Sequence, residues 1–347
     1  MTTTAPAPGR KLRRLRNLWV VLATLAGLVA ASTTANLAIE HAERSSTAPY
    51  GERVQVSHGA LNVYRTAGGR GPGEPGTGTA GPGGTIVLLS GLGTPAPALD
   101  FAPLIRELGG YDVVVVEGFG YGYSDVSPVE RTVENITAEL HEALSQVHVS
   151  GPYILAGHSI AGFYTLFYAN KYRTEVAAVV GIDPTVPAAG AGHPDAGAGH
   201  PDAGAGAAPD GFNWVRLLST TGIVRWASTI APALVEPDGD GYTSAEREEM
   251  RRMTSWNFGN PAVVDETNRI AENAHKVQGL RYPDDLPVLT FLAGDKGNPP
   301  NQSLHEERLR NVRHHAVVVL PGGHYLHWTQ APAMAQQITA FLSQVSR

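Results

Sequence analysis

Ser159 sits in Gly157-His158-Ser159-Ile160-Ala161-Gly162, directly after the apolar run Tyr153-Ile154-Leu155-Ala156. An apolar strand that enters a small-x-Ser-x-small turn and leaves as a helix holds its serine in a strained backbone conformation, hydroxyl clear of the sheet. The helix starting at Ile160 aims its N-terminal amides at the same spot, which suits a developing oxyanion. The chemistry this spacing serves is nucleophilic attack on a carbonyl. One position departs from G-x-S-x-G: the second glycine is Ala161, still small, with a glycine only at 162. An ordinary strand–helix junction with a serine in it satisfies the same six residues, so the surrounding groups must decide.

Acyl transfer by serine needs a base, an acid to orient it, and donors for the oxyanion. The base candidate is His324, in Pro321-Gly322-Gly323-His324-Tyr325-Leu326-His327. A glycine-flexed loop after the last strand can bend back toward Ser159. His327 and the pair His314-His315 compete by residue type. His314 and His315 open the strand rather than follow it, and His327 leads into the closing helix. The donor candidates are the amides of Leu92, in Ser90-Gly91-Leu92-Gly93, and Ile160. Two aspartates end strands and are candidates for the acid: Asp183 in Gly181-Ile182-Asp183-Pro184, and Asp295 in Gly294-Asp295-Lys296. Sheets of this kind place their chemistry at carboxyl ends of strands. A turn aspartate before proline and a solvated turn residue beside Lys296 are the plain alternatives.

These residues need a scaffold. Arg53–Val56 and Leu61–Tyr64 alternate apolar and polar around His58-Gly59, a hairpin pattern. A wholly apolar strand is expected at 85–89, another buried strand at 112–116, and further strands at 153–156, 177–182, 288–293 and 315–320. Helical spacing covers 101–108, 133–147, 160–171, 302–311 and 331–344. Apolar runs alternating with helices imply a parallel sheet covered on both faces. Residues 67–84 are Gly/Pro-rich and read as a flexible insertion. Residues 188–211 carry an Ala-Gly-His-Pro-Asp tandem repeat that reads as disordered rather than as a metal site. Three helical stretches, near 212–230, 243–256 and 261–278, then interrupt the alternation as a cap would, and Thr243–Glu246 is a capping box. Trp214, Leu217, Leu218, Trp226, Met250, Met253, Trp256 and Phe258 would suit an apolar pocket or simply pack the cap onto the sheet.

The 347 residues, 42% hydrophobic and 17% charged, fit a globular protein with a substantial core. A net charge of −6 argues against general nucleic-acid binding, and the absence of cysteine removes disulfides and thiolate chemistry. No metal or cofactor is expected. Arg10, Lys11, Arg13, Arg14 and Arg16 precede an apolar run from Leu18 to Ala31, with softer residues on to Ile39. About 20 residues are needed to span a bilayer, so 18–39 suffices while 18–31 does not. The expectation is a basic cytoplasmic tail over 1–17, a single-pass anchor at 18–39, a linker at 40–50 and a catalytic domain at 51–347 outside the cytoplasm. A signal peptide cleaved near Thr33-Thr34-Ala35 is the alternative.

The chain resembles the α/β-hydrolase superfamily from about residue 50 to 347. The matched pieces are Leu89-Ser90-Gly91-Leu92-Gly93, Glu117 to Asp125, Gly157-His158-Ser159 and Gly323-His324-Tyr325-Leu326-His327. It is most similar to bacterial single-pass, membrane-anchored members. The resemblance implies an α/β-hydrolase fold: a mostly parallel eight-stranded sheet flanked by helices, with a helical cap inserted after strand 6. It also implies a Ser159–His324–acid triad acting on a small-molecule acyl substrate, with esters as the default. Peptidase, amidase, acyltransferase and carbon–carbon hydrolase chemistries use the same fold, and a non-catalytic tethered binding protein is the rival from another class. Relatives that open epoxides or haloalkanes carry aspartate where Ser159 stands. The usual acid position after the seventh strand is Gly297 here, two residues past Asp295. Asp183 matches a Gly-x-Asp-Pro context found in some lipases of the superfamily, so Asp183 is the favoured acid and Asp295 the alternative.

Overall fold

A computed structural model describes residues 10–66, 83–127, 129–149, 151–187, 212–294 and 301–345. Both insertions read from composition therefore lie outside the described residues, apart from 83–84. So do Asp295 and Gly297.

Eight strands form one sheet: β1 (Glu52–Val56), β2 (Gly59–Arg65), β3 (Thr85–Leu89), β4 (Asp112–Glu117), β5 (Tyr153–His158), β6 (Val176–Ile182), β7 (Val288–Gly294) and β8 (His315–Pro321). Their spatial order is β1-β2-β4-β3-β5-β6-β7-β8. Strand β2 runs antiparallel to both neighbours, and every pairing from β4 to β8 is parallel. The β1–β2 reversal follows from their short hairpin, because a parallel pair needs a long crossover.

Why the inner strands carry no polar alternation is visible in β4. Val114 and Val116 face one core layer, and Val113 and Val115 face the other. The helices covering the sheet are, in chain order, α2 (Pro97–Asp100), α3 (Ala102–Glu107), α4 (Val133–Gln146), α5 (Ala161–Lys171), α11 (Gln302–Leu309), α12 (Leu326–Thr329) and α13 (Ala331–Val345). Helices α4 and α5 close the first layer, while α3 and α13 close the second. A sheet buried on both faces must be apolar on both.

Between β6 and β7 the chain builds α6 (Trp214–Thr220), α7 (Ile223–Ile230), α8 (Ser244–Asn257), α9 (Pro261–Asn268) and α10 (Ile270–Val277). The expected long stretches break because Gly222 adopts φ 87° between α6 and α7, and Arg269 separates α9 from α10. The capping box forms: Thr243 accepts from the Glu246 amide, and Glu246 accepts from the Thr243 amide. Met250, Met253 and Trp256 of α8 pack with Ala96, Leu99, Ala102, Tyr123 and Tyr242, fastening the cap to α2 and α3. The four apolar residues expected beside them behave differently. Trp214, Leu217, Leu218 and Trp226 are exposed on α6 and α7.

The N-terminal helix α1 runs from Arg10 to Ser46, seven residues past the expected end of the anchor, so most of the expected linker is helical. From Arg13 to Ala31 it is exposed. Its trailing part is not free. Ser32, Asn36 and Glu43, spaced to share one helix face, meet the cap. The Ser32 hydroxyl donates to Thr221 O at 2.6 Å, and the Trp226 indole donates to Ser32 at 2.8 Å. Arg225 reaches Asn36 at 2.8 Å and grips both Glu43 oxygens at 2.8 and 2.9 Å.

Candidate active site

The loop after β5 delivers Ser159 with φ 54°, in the left-handed region that a non-glycine residue rarely adopts. Its backbone is pinned on three sides. The Ser159 amide donates to Ile182 O at 3.1 Å, while its carbonyl accepts from Gly162 and Thr185 amides at 2.9 and 2.8 Å. Two glycines make the turn possible. A Cβ on Gly157 would stand 2.9 Å from Thr165 Cγ2, and one on Gly162 would stand 2.5 Å from Thr185 O. Ala161 is buried without such a conflict. The close backbone approach that demands glycine here is thus made at 162, which accounts for the departure at 161.

Asp183 leaves β6 with φ 43°, a second strained position. Its amide donates to Phe291 O at 2.9 Å, and its Oδ1 accepts from the Ala293 amide at 2.9 Å. The other oxygen, Oδ2, lies 2.6 Å from His324 Nδ1. His324 Nε2 in turn lies 2.8 Å from Ser159 Oγ. The structure therefore brings Ser159, His324 and Asp183 into one hydrogen-bonded line. Asp183 and His324 remain part-exposed. His305 of α11 is close enough to feel the Asp183 charge, yet burial keeps its imidazole below the usual histidine range.

The competing histidines stand elsewhere in bonding. His327 is fully buried, with Nε2 2.7 Å from Asp100 Oδ2. His315 bonds Val312 O at the start of β8, and His314 beside it is exposed. Residue type alone had not separated these roles. The Asp100 carboxylate also accepts from the Trp328 indole at 2.9 Å, so the Asp100–His327 pair fastens the segment that follows His324.

On the opposite side of Ser159 runs the loop after β3. A Cβ on Gly91 would lie 3.2 Å from Ser159 Cβ and 2.8 Å from His158 Nδ1, so only glycine lets this loop pass so near. Leu92 follows in the turn, and Ile160 is the N-cap residue of α5. Among the described residues neither the Leu92 nor the Ile160 amide has a backbone or side-chain acceptor. The Gly93 amide is committed: it donates to Tyr121 Oη at 3.1 Å, and Tyr121 donates to Glu266 at 2.9 Å. Burial, and the Glu266 charge after it, hold the Tyr121 phenol well above its usual range, so it stays protonated and able to donate.

Two further groups position the base without touching the nucleophile. His158, the residue before Ser159, donates from Nε2 to the His324 carbonyl at 3.1 Å. Tyr325 stacks on Trp328 with ring centroids 4.0 Å apart. The signal for His158 was present in the turn itself, but a partner 166 residues away is not readable from spacing.

The model of the alpha/beta hydrolase family matches residues 86–337. The uncharacterized protein YbdG of Bacillus subtilis (strain 168) is 26% identical over 291 residues, covering 80% of this chain and 82% of YbdG. Among solved structures, a thermophilic esterase from Thermogutta terrifontis superposes with a TM-score of 0.57 at 20% identity, covering 85% of this chain and 99% of the esterase. A membrane phospholipase A, described as a bacterial virulence factor, gives 0.53 at 19% identity over 96% of this chain and 99% of its own. At such identities the likeness is one of fold.

Proposed function

The chain belongs to the alpha/beta hydrolase family, and on that premise we propose that it is a membrane-anchored serine hydrolase acting on carboxylic esters. The observation that carries the reading is the continuous line from Asp183 through His324 to Ser159, at 2.6 and 2.8 Å. An aspartate nucleophile, as epoxide or haloalkane chemistry on this fold would use, is not what stands at 159.

His324 Nε2 takes the Ser159 proton as Oγ bonds to the ester carbonyl carbon. Asp183, held by the Ala293 amide, keeps Nδ1 protonated and stabilises the imidazolium. The carbonyl oxygen becomes an oxyanion, for which the uncommitted amides of Leu92 and Ile160 are the donors. Collapse expels the alcohol, which receives the proton from His324, and leaves the acyl group on Ser159. A water, deprotonated by His324, attacks that ester, and the carboxylic acid departs as Ser159 recovers its proton.

For location, the reading is an uncleaved anchor with the enzyme domain outside the cytoplasm. Among the described residues, helix α1 is the one segment long and apolar enough to cross a membrane, with a mean hydropathy of 1.8 over an 18-residue stretch. Its docking on the cap supports retention, because cleavage after Ala35 would remove Ser32 and leave the Trp226 indole without that partner.

The test is a panel of p-nitrophenyl esters graded by chain length, with matched anilides, assayed on full-length protein and on Ser159→Ala. Ester turnover that vanishes in the variant supports the reading. Turnover confined to anilides, or equal in both proteins, contradicts it.

A further inference from the structure

Helices α6 and α7 are built inside out for a protein in water. On α7 the buried residues are Arg225 and Ser228, and the exposed ones include Ile223, Trp226 and Ile230. On α6 the buried residue is Ser219, and Trp214, Leu217 and Leu218 are exposed by about half. A helix on a water-facing cap buries its apolar stripe and exposes its polar one. Here the polar side has partners: Arg225 bonds Asn36 and Glu43 of α1, and Ser32 of α1 bonds Thr221. The apolar side is turned outward: beyond the Trp226 indole on Ser32 and the Trp214 ring against Phe212, the side chains of Leu217, Leu218, Ile223 and Ile230 stand exposed, as do Phe212 and Leu234, and clustered exposed apolar side chains mark an interaction surface.

What covers it follows from its neighbour. Helices α6 and α7 are joined to α1 through Ser32, Asn36 and Glu43, and these contacts set the height of the apolar face along that helix. Charged residues resume at Glu40, so the anchor's hydrocarbon span ends near Ile39. Ser32 lies seven residues earlier, about 10 Å deeper at 1.5 Å per residue. The turn that touches Ser32 is therefore at or below the polar boundary of the bilayer, where interfacial helices sit about 5–10 Å into the headgroup and acyl layer. Counting the span only to Ala31 still places Ser32 at the boundary. Trp214 and Trp226 are the residue type enriched at that level.

We propose that the apolar face of α6 and α7 is immersed in the outer leaflet of the bilayer in which α1 stands. The cap is then a membrane-seated lid clamped to the anchor by Arg225, and the acyl ester that reaches Ser159 is drawn from lipid. This rests on the anchored reading above.

The chain has no cysteine, so single-site labelling is clean. Full-length Leu25→Cys, Leu218→Cys, Ile223→Cys and Glu248→Cys variants, each carrying an environment-sensitive fluorophore, are reconstituted in phosphatidylcholine vesicles with and without lipid nitroxide-labelled on the acyl chain. The expected result is emission quenched by roughly half or more at 25, 218 and 223, depths of an interfacial segment, and unquenched at 248, a charged cap position. Quenching at 25 without quenching at 218 and 223 overturns the docking and leaves the anchor standing. A blue shift at 218 and 223 without quenching means that protein, such as a second copy, covers the face, and also overturns it. No quenching at 25 overturns anchor and docking together.

Discussion

Ser159 and Asp183 both sit at positive φ, and neither residue would choose that backbone unaided. Strain of this kind costs on the order of 1–3 kcal/mol per residue and persists only where surroundings over-determine it. Here the surroundings are one small knot: the Ser159 carbonyl receives the Thr185 amide, and Gly162 leaves room for Thr185. Nucleophile and acid are thus positioned by the same contacts. Gly162→Val should displace the 183–185 segment, lower stability by roughly 1–3 kcal/mol and depress kcat more than KM, read from a thermal melt and steady-state kinetics. Asp183→Asn should leave the fold intact, because the amide still accepts from Ala293. It should lower kcat by roughly 10⁴, since the neutral group no longer holds the productive His324 tautomer. Asp295→Asn, at the alternative acid position, should change kcat little. The opposite ranking would reassign the acid.

At the scale of elements, the loops after β3, β5, β6 and β8 hold the site, and each is fastened away from the chemistry. Tyr121 holds the β3 loop, and Asp100 holds the segment after His324 through His327 and Trp328. Farther out, Glu175 ties β6 to β5 and α5, accepting from Tyr153 and Tyr168 hydroxyls at 2.8 and 2.7 Å and meeting His141 Nδ1 at 3.1 Å. Burial acts to raise its pKa, but the hydrogen bonds from Tyr168, Tyr153 and His141 together outweigh it and hold the carboxyl below its usual range. A lowered folded pKa adds stability above the unfolded value, near 4.3 for glutamate, and the contribution is lost as pH falls through the folded value. Glu175→Gln should therefore lower the Tm at pH 7 and narrow its gap to the parent below about pH 4. A pH-independent gap would refute the assignment. In the cap, Trp256 of α8 is 1% exposed and belongs to the core it shares with Ala96 and Leu99 at α2. Trp256→Ala should cost roughly 3–5 kcal/mol, measured by denaturant unfolding.

The whole molecule shows what spacing can and cannot carry. The strands were readable because parallel strands buried on both faces need uninterrupted apolar runs, and β3, β4 and β5 supply them. The serine turn was readable because its constraints are local. The acid was not, since Asp183 and Asp295 each end a strand and only the fold shows which one meets His324; of the two, Asp183 is the one among the described residues. Of the cap's apolar residues, Met250, Met253 and Trp256 pack as one expectation had it, while Trp214, Leu217, Leu218 and Trp226 face outward, and spacing could not separate the two groups for a similar reason. Periodicity announces an amphipathic helix without saying which side meets protein, and the partner that buries the polar side of α7 lies about 190 residues earlier in α1. The end of α1 was read as a linker because its charged residues look solvated, whereas Glu43 is gripped by Arg225.

The central claim is that Ser159 is a nucleophile activated by His324. Incubating the full-length protein with a fluorophosphonate probe and mapping the adduct by peptide mass spectrometry tests it most directly. The account predicts one modified peptide, labelled at Ser159, with no labelling in Ser159→Ala and at least 10²-fold slower labelling in His324→Ala, the scale of losing a general base. An unlabelled protein, or an adduct that persists in Ser159→Ala, would contradict it.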